Sequence, residues 1–401
     1  MEEIRFLHAA DLHLDSPFKG ISSIPKEKWM EVRESTFKAF QNLVDYAVQS
    51  KPDFMLIAGD IYDGENRSLR AQHIFQKGME TLHEKNIPVF ICYGNHDHLS
   101  GNWLRFQLPA NVHVFGEQVE TKKLIVKQQL VNITSFSYKE RHVREAMHPF
   151  YPEATEDGFH IGMLHGSLEG DQEHDVYAPF RQSDLLEKRY DYWALGHIHK
   201  RQILHLEPPI VYPGNMQSRH RNEKGIKGFY EVTLSKQKVN LNFIPSSTFI
   251  YDEIEISCKH TVHANELLDI IDHELQQYSQ SYGNAMVDLI LMDISEDTYE
   301  MLQSSSKEEW IQTLQDGIDQ SEMFLLIRDL HIQLPSSYKK EASIITSVIE
   351  EWDSDHWKSA LKEIYQHPKG GRFIPKIDEV FIEEIKKEVE EALSKTVARR
   401  E

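Results

Sequence analysis

Residues 87–97 read Ile-Pro-Val-Phe-Ile-Cys-Tyr-Gly-Asn-His-Asp. An apolar run, Ile87 to Cys92, stops abruptly at the polar group Gly94-Asn95-His96-Asp97. The same punctuation occurs twice upstream. Ile4 to Ala10 ends at Asp11-Leu12-His13, and Phe54 to Ala58 ends at Gly59-Asp60. Short apolar runs bounded by turn residues are the pattern of strands buried on both faces. Between them lie two stretches with helical spacing. Glu31 to Ser50 carries Val32, Phe37, Phe40, Leu43, Val44 and Ala47; Arg67 to Lys85 carries Leu69, Ile74, Phe75, Met79 and Leu82. Strand–helix–strand order predicts an α/β fold with a parallel sheet and helical crossovers. In such sheets a site lies outside the carboxyl ends of the strands, where all three polar groups fall.

From about residue 111 strands predominate: Val112 to Phe115, Leu130 to Phe136, Phe159 to Leu164, Tyr192 to Leu195, Gln202 to Leu206, Ile210 to Tyr212, Gly228 to Val232 and Val239 to Ile244. Two of them run into further histidines, at His165 and at His197-Ile198-His199. Pro245-Ser246-Ser247-Thr248 reads as a boundary, and Leu334-Pro335-Ser336-Ser337 as a second linker. Three regions follow: 1–245 with the histidine clusters, 246–335 as a small α/β domain, and 336–401 as a helical tail. In the middle region one helical stretch is expected around Tyr299 to Leu314, between apolar strands at Met286 to Ile294 and Phe324 to Leu334. The tail offers helices at about Glu341 to Gln366 and Lys376 to Arg399.

Composition narrows the chemistry. The net charge of −20 excludes a generic basic coat for nucleic acid, so a phosphate-backbone partner needs a local patch. Two cysteines exclude a disulfide framework and a thiolate zinc site. No apolar run reaches the roughly 18 residues that span a bilayer, and the acidic start, Met1-Glu2-Glu3, is wrong for a signal peptide. The expectation is a cytoplasmic protein without membrane contact. No Gly-rich ATP loop is present, while histidine, the commonest metal ligand, occurs 22 times.

The five polar clusters supply carboxylates, imidazoles and one amide oxygen, with no sulfur. That donor set suits Mn²⁺, Fe or Zn²⁺. On extended backbone, side chains at i and i+2 share a face, so Asp11 with His13, and His197 with His199, are expected to reach one site. Glycines at 59, 94, 166 and 196 allow turns and close approach. Phosphate ester hydrolysis uses such a set: two divalent ions ~3.5–4 Å apart bind the phosphate, generate hydroxide near neutral pH and neutralise developing charge. Asp60 is placed to bridge them. Protonating the leaving oxygen asks for an imidazole beside a ligand, and His96, next to Asn95, fits.

Taken in order, D-x-H, G-D, G-N-H-D, H and G-H-x-H resemble the calcineurin-like metallophosphoesterase signature across residues 11–199. Ala10-Asp11-Leu12-His13-Leu14-Asp15-Ser16-Pro17 and Tyr212-Pro213-Gly214-Asn215-Met216-Gln217 resemble the SbcD-like DNA-repair nucleases, YhaO-type members in particular. The resemblance implies a four-layer αββα sandwich, a small α/β capping domain and a helical tail. It implies a first ion held by Asp11, His13, Asp60 and His199, and a second by Asp60, Asn95, His165 and His197. His96 would position or protonate the scissile phosphate. Two Mn²⁺ ions, DNA as substrate, a homodimer resting on helices around 67–105, and an SMC-like coiled-coil ATPase partner are further implications.

The expected activity is a two-metal DNA exonuclease with some endonuclease activity. The rivals are a phosphatase or phosphodiesterase for a small nucleotide, and an adaptor that keeps the fold without catalysis. A lone D-x-H is weak; five clusters in order, each at a strand end, carry the metal reading. His8, His98, His160, His205 and His220 lack such support and read as surface residues or neighbours of the site. Asp97 either orients His96 or caps a turn. Two local basic runs each total +4: Lys200, Arg201, Arg219, Arg221, Lys224 and Lys227 against two Glu, and residues 121–148. The first, following two ligands, is the expected phosphate contact. In the tail, Phe381, Ile385, Val389, Leu393 and Val397 form a stripe that either docks a partner or packs on residues 345–364.

Overall fold

The computed structural model describes residues 3–18, 26–64, 68–100, 106–155, 157–170, 177–318, 324–335 and 351–365, together with 381, 382, 385, 386 and 389. The chain divides into two compact units. The first is Met1–Asp252 with Tyr282–Met286 and Met323–Leu325; the second is Glu253–Ser281, Val287–Glu322 and Leu326–Glu401.

In the first unit, β1 (Ile4–Ala9), β2 (Phe54–Ala58), β3 (Val89–Cys92) and β4 (Val112–Val114) run parallel, with α1 (Lys26–Ser50) and α2 (Leu69–Glu84) as crossovers. The second sheet uses β5 (Glu120–Val126), β6 (Gln129–Ser135), β7 (Phe159–His165), β8 (Tyr192–Gly196), β9 (Gln202–Leu206) and β10 (Pro209–Tyr212), in the order β5-β6-β7-β8-β10-β9. Its inner strands are parallel and both edges antiparallel. β11 (Gly228–Leu234) and β12 (Val239–Pro245) return to the first sheet, giving β12-β11-β1-β2-β3-β4.

The period-2 alternation of each strand separates the layers. Phe6, Phe54, Leu56 and Phe90 meet Ile133, Ile161, Met163, Tyr192 and Ala194 in a core between the sheets. Leu7, Ala9, Met55 and Ile57 face the other way, onto Phe40 and Leu43 of α1 and Phe75 and Met79 of α2. Beyond the second sheet, Leu164, Trp193, Leu195 and Ile210 are covered mainly by aromatic loop residues, Tyr138, Tyr151, Tyr177 and Tyr190, and by Leu185 of the short α3 (Gln182–Glu187). The expected four-layer α/β sandwich is present, with a thin fourth layer.

In the second unit, β13 (Ile250–Ser257), β14 (Ala285–Met292) and β15 (Leu325–Ile332) form a three-stranded sheet. α4 (Ala264–Tyr282), α5 (Glu296–Gln303) and α6 (Lys307–Ile318) complete its α/β character. The single helix expected around 299–314 is two. Ser306 Oγ accepts from Glu309 N at 3.2 Å and starts a new helix after the break at 304–306. Of the tail, α7 (Ser354–Tyr365) is described, with Trp357 packed on Ile382, Ile385 and Val389. Leu393 and Val397 lie outside the described residues. Among the described residues no helix is long and apolar enough to cross a membrane.

Candidate metal centre

Five parallel strands of two sheets deliver their carboxyl ends to one place. β1 leads to Asp11 and His13, β2 to Asp60, β3 to Asn95 and His96, β7 ends on His165, and β8 leads to His197 and His199. Four of the seven expected ligands do not sit on extended backbone, contrary to the i, i+2 expectation for Asp11, His13 and His197. Asp11, His13, Asp60 and His197 have φ of 51°, 43°, 51° and 97°, in the left-handed region. What aims Asp11 and His13 is their main chain, which follows β2: Asp11 N donates to Gly59 O at 3.1 Å and His13 N to Asp60 O at 3.0 Å. Gly94 is needed for close approach, because a Cβ there would lie 2.4 Å from Asp60 Oδ1. Asp97 accepts from Gly94 N and Ile61 N, both at 2.7 Å, and so fastens the β3 loop to the end of β2.

The donors form linked groups. One ligand atom each of Asp11, His13 and His199 lie within 4.8 Å of one another, as do those of Asp11, Asp60 and His165. Asn95 Oδ1 is 3.0 Å from His165 Nε2 and 3.3 Å from His197 Nδ1. Asp60 Oδ2 stands between the groups, 3.7 Å from His13 Nε2 and 3.5 Å from His165 Nε2. All seven expected ligands therefore converge. His96 lies beside them, its ring 5.0 Å from that of His13. Gly64 N donates to His96 Nδ1 at 3.2 Å, which in the neutral ring leaves the proton on Nε2.

The electrostatics call for a cation. Burial, reinforced by the nearby Asp60, raises Asp11 to about 8, against the pull of His165 and the His197 N–H. Burial also opposes the Asp60 charge, yet His165, His13 and His96 hold that carboxyl well below its ordinary range. His165 rises to about 9 because Asp60 and Asp11 outweigh its desolvation. Burial, with Arg219 adding to it, lowers His13 to about 3 and displaces His199 in the same direction. His13 Nε2 and His199 Nε2 face each other at 3.0 Å, and His13 Nδ1 is buried with no hydrogen bond. Two buried carboxylates and two opposed imidazole nitrogens fit a pair of divalent ions, with no sulfur in the donor set.

Sequence reasoning missed Asp63, counted Glu223 only as a charge against the basic run, and gave Arg219 a different role. Asp63 Oδ1 is 3.4 Å from His96 Nδ1 and 3.6 Å from His13 Nδ1. Glu223 Oε1 is 2.6 Å from His199 Nδ1. Arg219 was expected at phosphate but pairs with Asp63 at 3.2 Å, and the buried Lys227 donates to His199 O at 2.9 Å. Three residues of the second basic run are ion-paired: Lys122 to Glu120, Lys127 to Asp53 and Lys139 to Glu117. His8, expected at the surface or beside the site, is fully buried between the sheets, 2.9 Å from Tyr192 Oη and 3.1 Å from Leu195 O. His160 is buried as well, within 3.2 Å of Thr155 Oγ1.

Residues 4–201 match the family described as calcineurin-like phosphoesterase. A relative, the metallophosphoesterase YhaO of Bacillus subtilis strain 168, is 33% identical over 399 residues, 97% of either chain. The chain belongs to the calcineurin-like phosphoesterases. The DNA double-strand break repair protein Mre11 of Methanocaldococcus jannaschii is 28% identical over 276 residues, 65% of this chain and 69% of its own. That of Thermoplasma acidophilum is 24% identical over 319 residues, 72% and 80% of the two chains. As a calcineurin-like phosphoesterase, the protein is a hydrolase of phosphoric esters with a fold that binds divalent metals.

Proposed function

We propose that this phosphoesterase is a manganese-dependent DNA phosphodiesterase of DNA repair, an exonuclease with some endonuclease activity. The observation that carries the reading is the convergence of Asp11, His13, Asp60, Asn95, His165, His197 and His199 at the ends of five strands. Asp11, His13, Asp60 and His199 would hold a first ion, and Asp60, Asn95, His165 and His197 a second. The position of Asp60 Oδ2 between His13 and His165 supports its bridging role. Bound there, two divalent cations supply a nucleophile at neutral pH and positive charge for the phosphate.

The chain's own groups do the rest. His96 is the catalytic acid of the assignment: as the imidazolium, with Asp63 Oδ1 3.4 Å from Nδ1, it donates its Nε2 proton to the departing sugar oxygen and returns to the neutral ring. Burial of Asp11, Asp60 and His165 keeps bulk water from screening the site's charges. The Mre11 relatives support DNA as substrate. Lys200, Arg201 and Lys224, exposed and close in sequence to His199 and Glu223, are the proposed phosphate-backbone contacts. The proposed assembly is a cytoplasmic homodimer resting on the helices around 67–105, joined through residues 336–401 to an SMC-like coiled-coil ATPase.

The test is metal-supplemented protein assayed on labelled duplex DNA, single-stranded DNA and bis-p-nitrophenyl phosphate. Shortening of DNA from its ends is the expected result. Activity on the small ester alone would move the substrate to small nucleotides, and silence on all three would leave an adaptor.

A further inference from the structure

His199 meets its carboxylate on the nitrogen that faces away from the donor group. Nδ1 is 2.6 Å from Glu223 Oε1, while Nε2 points at His13 Nε2, 3.0 Å away. A proton held between Nδ1 and Glu223 leaves the Nε2 lone pair free, the tautomer a metal ligand needs. Glu223 is itself fixed from two sides, since Oε2 accepts from Arg219 N at 2.6 Å and from Asn215 Nδ2 at 2.9 Å. The Arg219 guanidinium then spans two carboxylates. Nη1 is 3.2 Å from Asp63 Oδ1, and Nη2 is 3.9 Å from Glu223 Oε1. Asp63 in turn lies 3.6 Å from His13 Nδ1 and accepts from Ser16 Oγ at 2.9 Å.

We propose that Glu223 is a positioning residue that presets His199 as an Nε2 donor, and that Arg219 locks it to Asp63 behind His13. The two carboxylates stand directly behind the two imidazoles and orient both rings, while the Arg219 guanidinium and the Lys227 amine at the His199 carbonyl hold the carboxylates in place. Arg219 acts through this frame rather than on substrate. Its Nη2 is 3.4 Å from His199 Nδ1, on the side of the ring opposite the donor group, and its side chain is 15% exposed. The shorter Glu223 contact decides where the Nδ1 proton goes.

The inference rests on the divalent-metal reading, so its test begins with the metal-free parent and Asp60→Asn. Calorimetric titration with Mn²⁺ is expected to show two uptake steps in the parent and their loss in Asp60→Asn. Glu223→Gln and Arg219→Gln are expected to weaken one step by about 10–100-fold and leave the other within two-fold, as loss of a ligand's supporting partner does. Glu223→Asp restores part of the affinity. With Co²⁺ as probe, the visible absorption shifts in Glu223→Gln, and turnover of bis-p-nitrophenyl phosphate recovers towards the parent's at saturating Mn²⁺. Melting of the metal-free variants separates this from a structural role. If Glu223→Gln and Arg219→Gln melt earlier but take up Mn²⁺ like the parent, the frame is refuted and the metal reading stands. A parent that takes up no divalent ion refutes both.

Discussion

Acid should loosen this protein through His8 as pH falls below 6.5. His8 lies on β1, fully buried, accepting from the Tyr192 hydroxyl on Nδ1 and donating from Nε2 to Leu195 O. Both partners belong to β8, so one neutral imidazole bolts the two sheets together just behind Asp11 and His197. Burial, only partly offset by the Leu195 carbonyl, lowers its pKa from 6.5 to about 3. The unfolded chain therefore binds this proton first, and stability falls as pH drops from 6.5 towards 3. Between pH 8 and pH 5 the loss from this one group is about 2 kcal/mol. The assay is urea unfolding of the metal-free parent and of His8→Gln, whose amide can keep one donor and one acceptor. The variant should be less stable at pH 8 and should lose about 2 kcal/mol less on acidification to pH 5. Parallel curves for the two proteins would refute a buried neutral His8.

Three further outcomes are expected. Asp60→Asn removes a charge shared by both donor groups and should abolish metal uptake and turnover while the fold persists; elemental analysis and circular dichroism read the two parts. His96→Ala should retain both metals and lose turnover by about 10²–10⁴-fold, the range of a general acid–base group; metal loss would make His96 a ligand instead. Truncation at Ser336 should leave a folded protein that cleaves simple DNA but no longer binds the candidate ATPase in a pull-down. Unchanged binding would remove the tail as the docking element.

The sandwich was legible because its inner strands are unbroken apolar runs and its crossovers keep helical spacing. β5 escaped notice because Glu120-Thr121-Lys122-Lys123 opens an edge strand whose first residues face solvent and carry no apolar signal. The helix break at 304–306 rests on a serine cap, a local hydrogen bond that outer hydrophobic spacing does not report. At the site, the seven expected ligands and His96 could be expected to meet because each follows a recognisable strand, and the structure brings them together. Asp63, Arg219 and Glu223 sit on loops, and in a chain with 108 charged residues a single acid or base carries no pattern. Lys227 shows the converse error. Its charge counted towards a surface patch, but its amine is held inside by the His199 carbonyl.

Asp11, His13 and Asp60 all adopt a backbone conformation that costs an L-residue roughly 1–2 kcal/mol, least for aspartate. Selection for heat resistance alone would thus favour glycine at these three positions, and each such gain would erase a candidate donor. A stabilised descendant of this chain, obtained without screening for activity, should accordingly carry its improvements where its chemistry used to be. Variants collected that way would map the centre by what they discard.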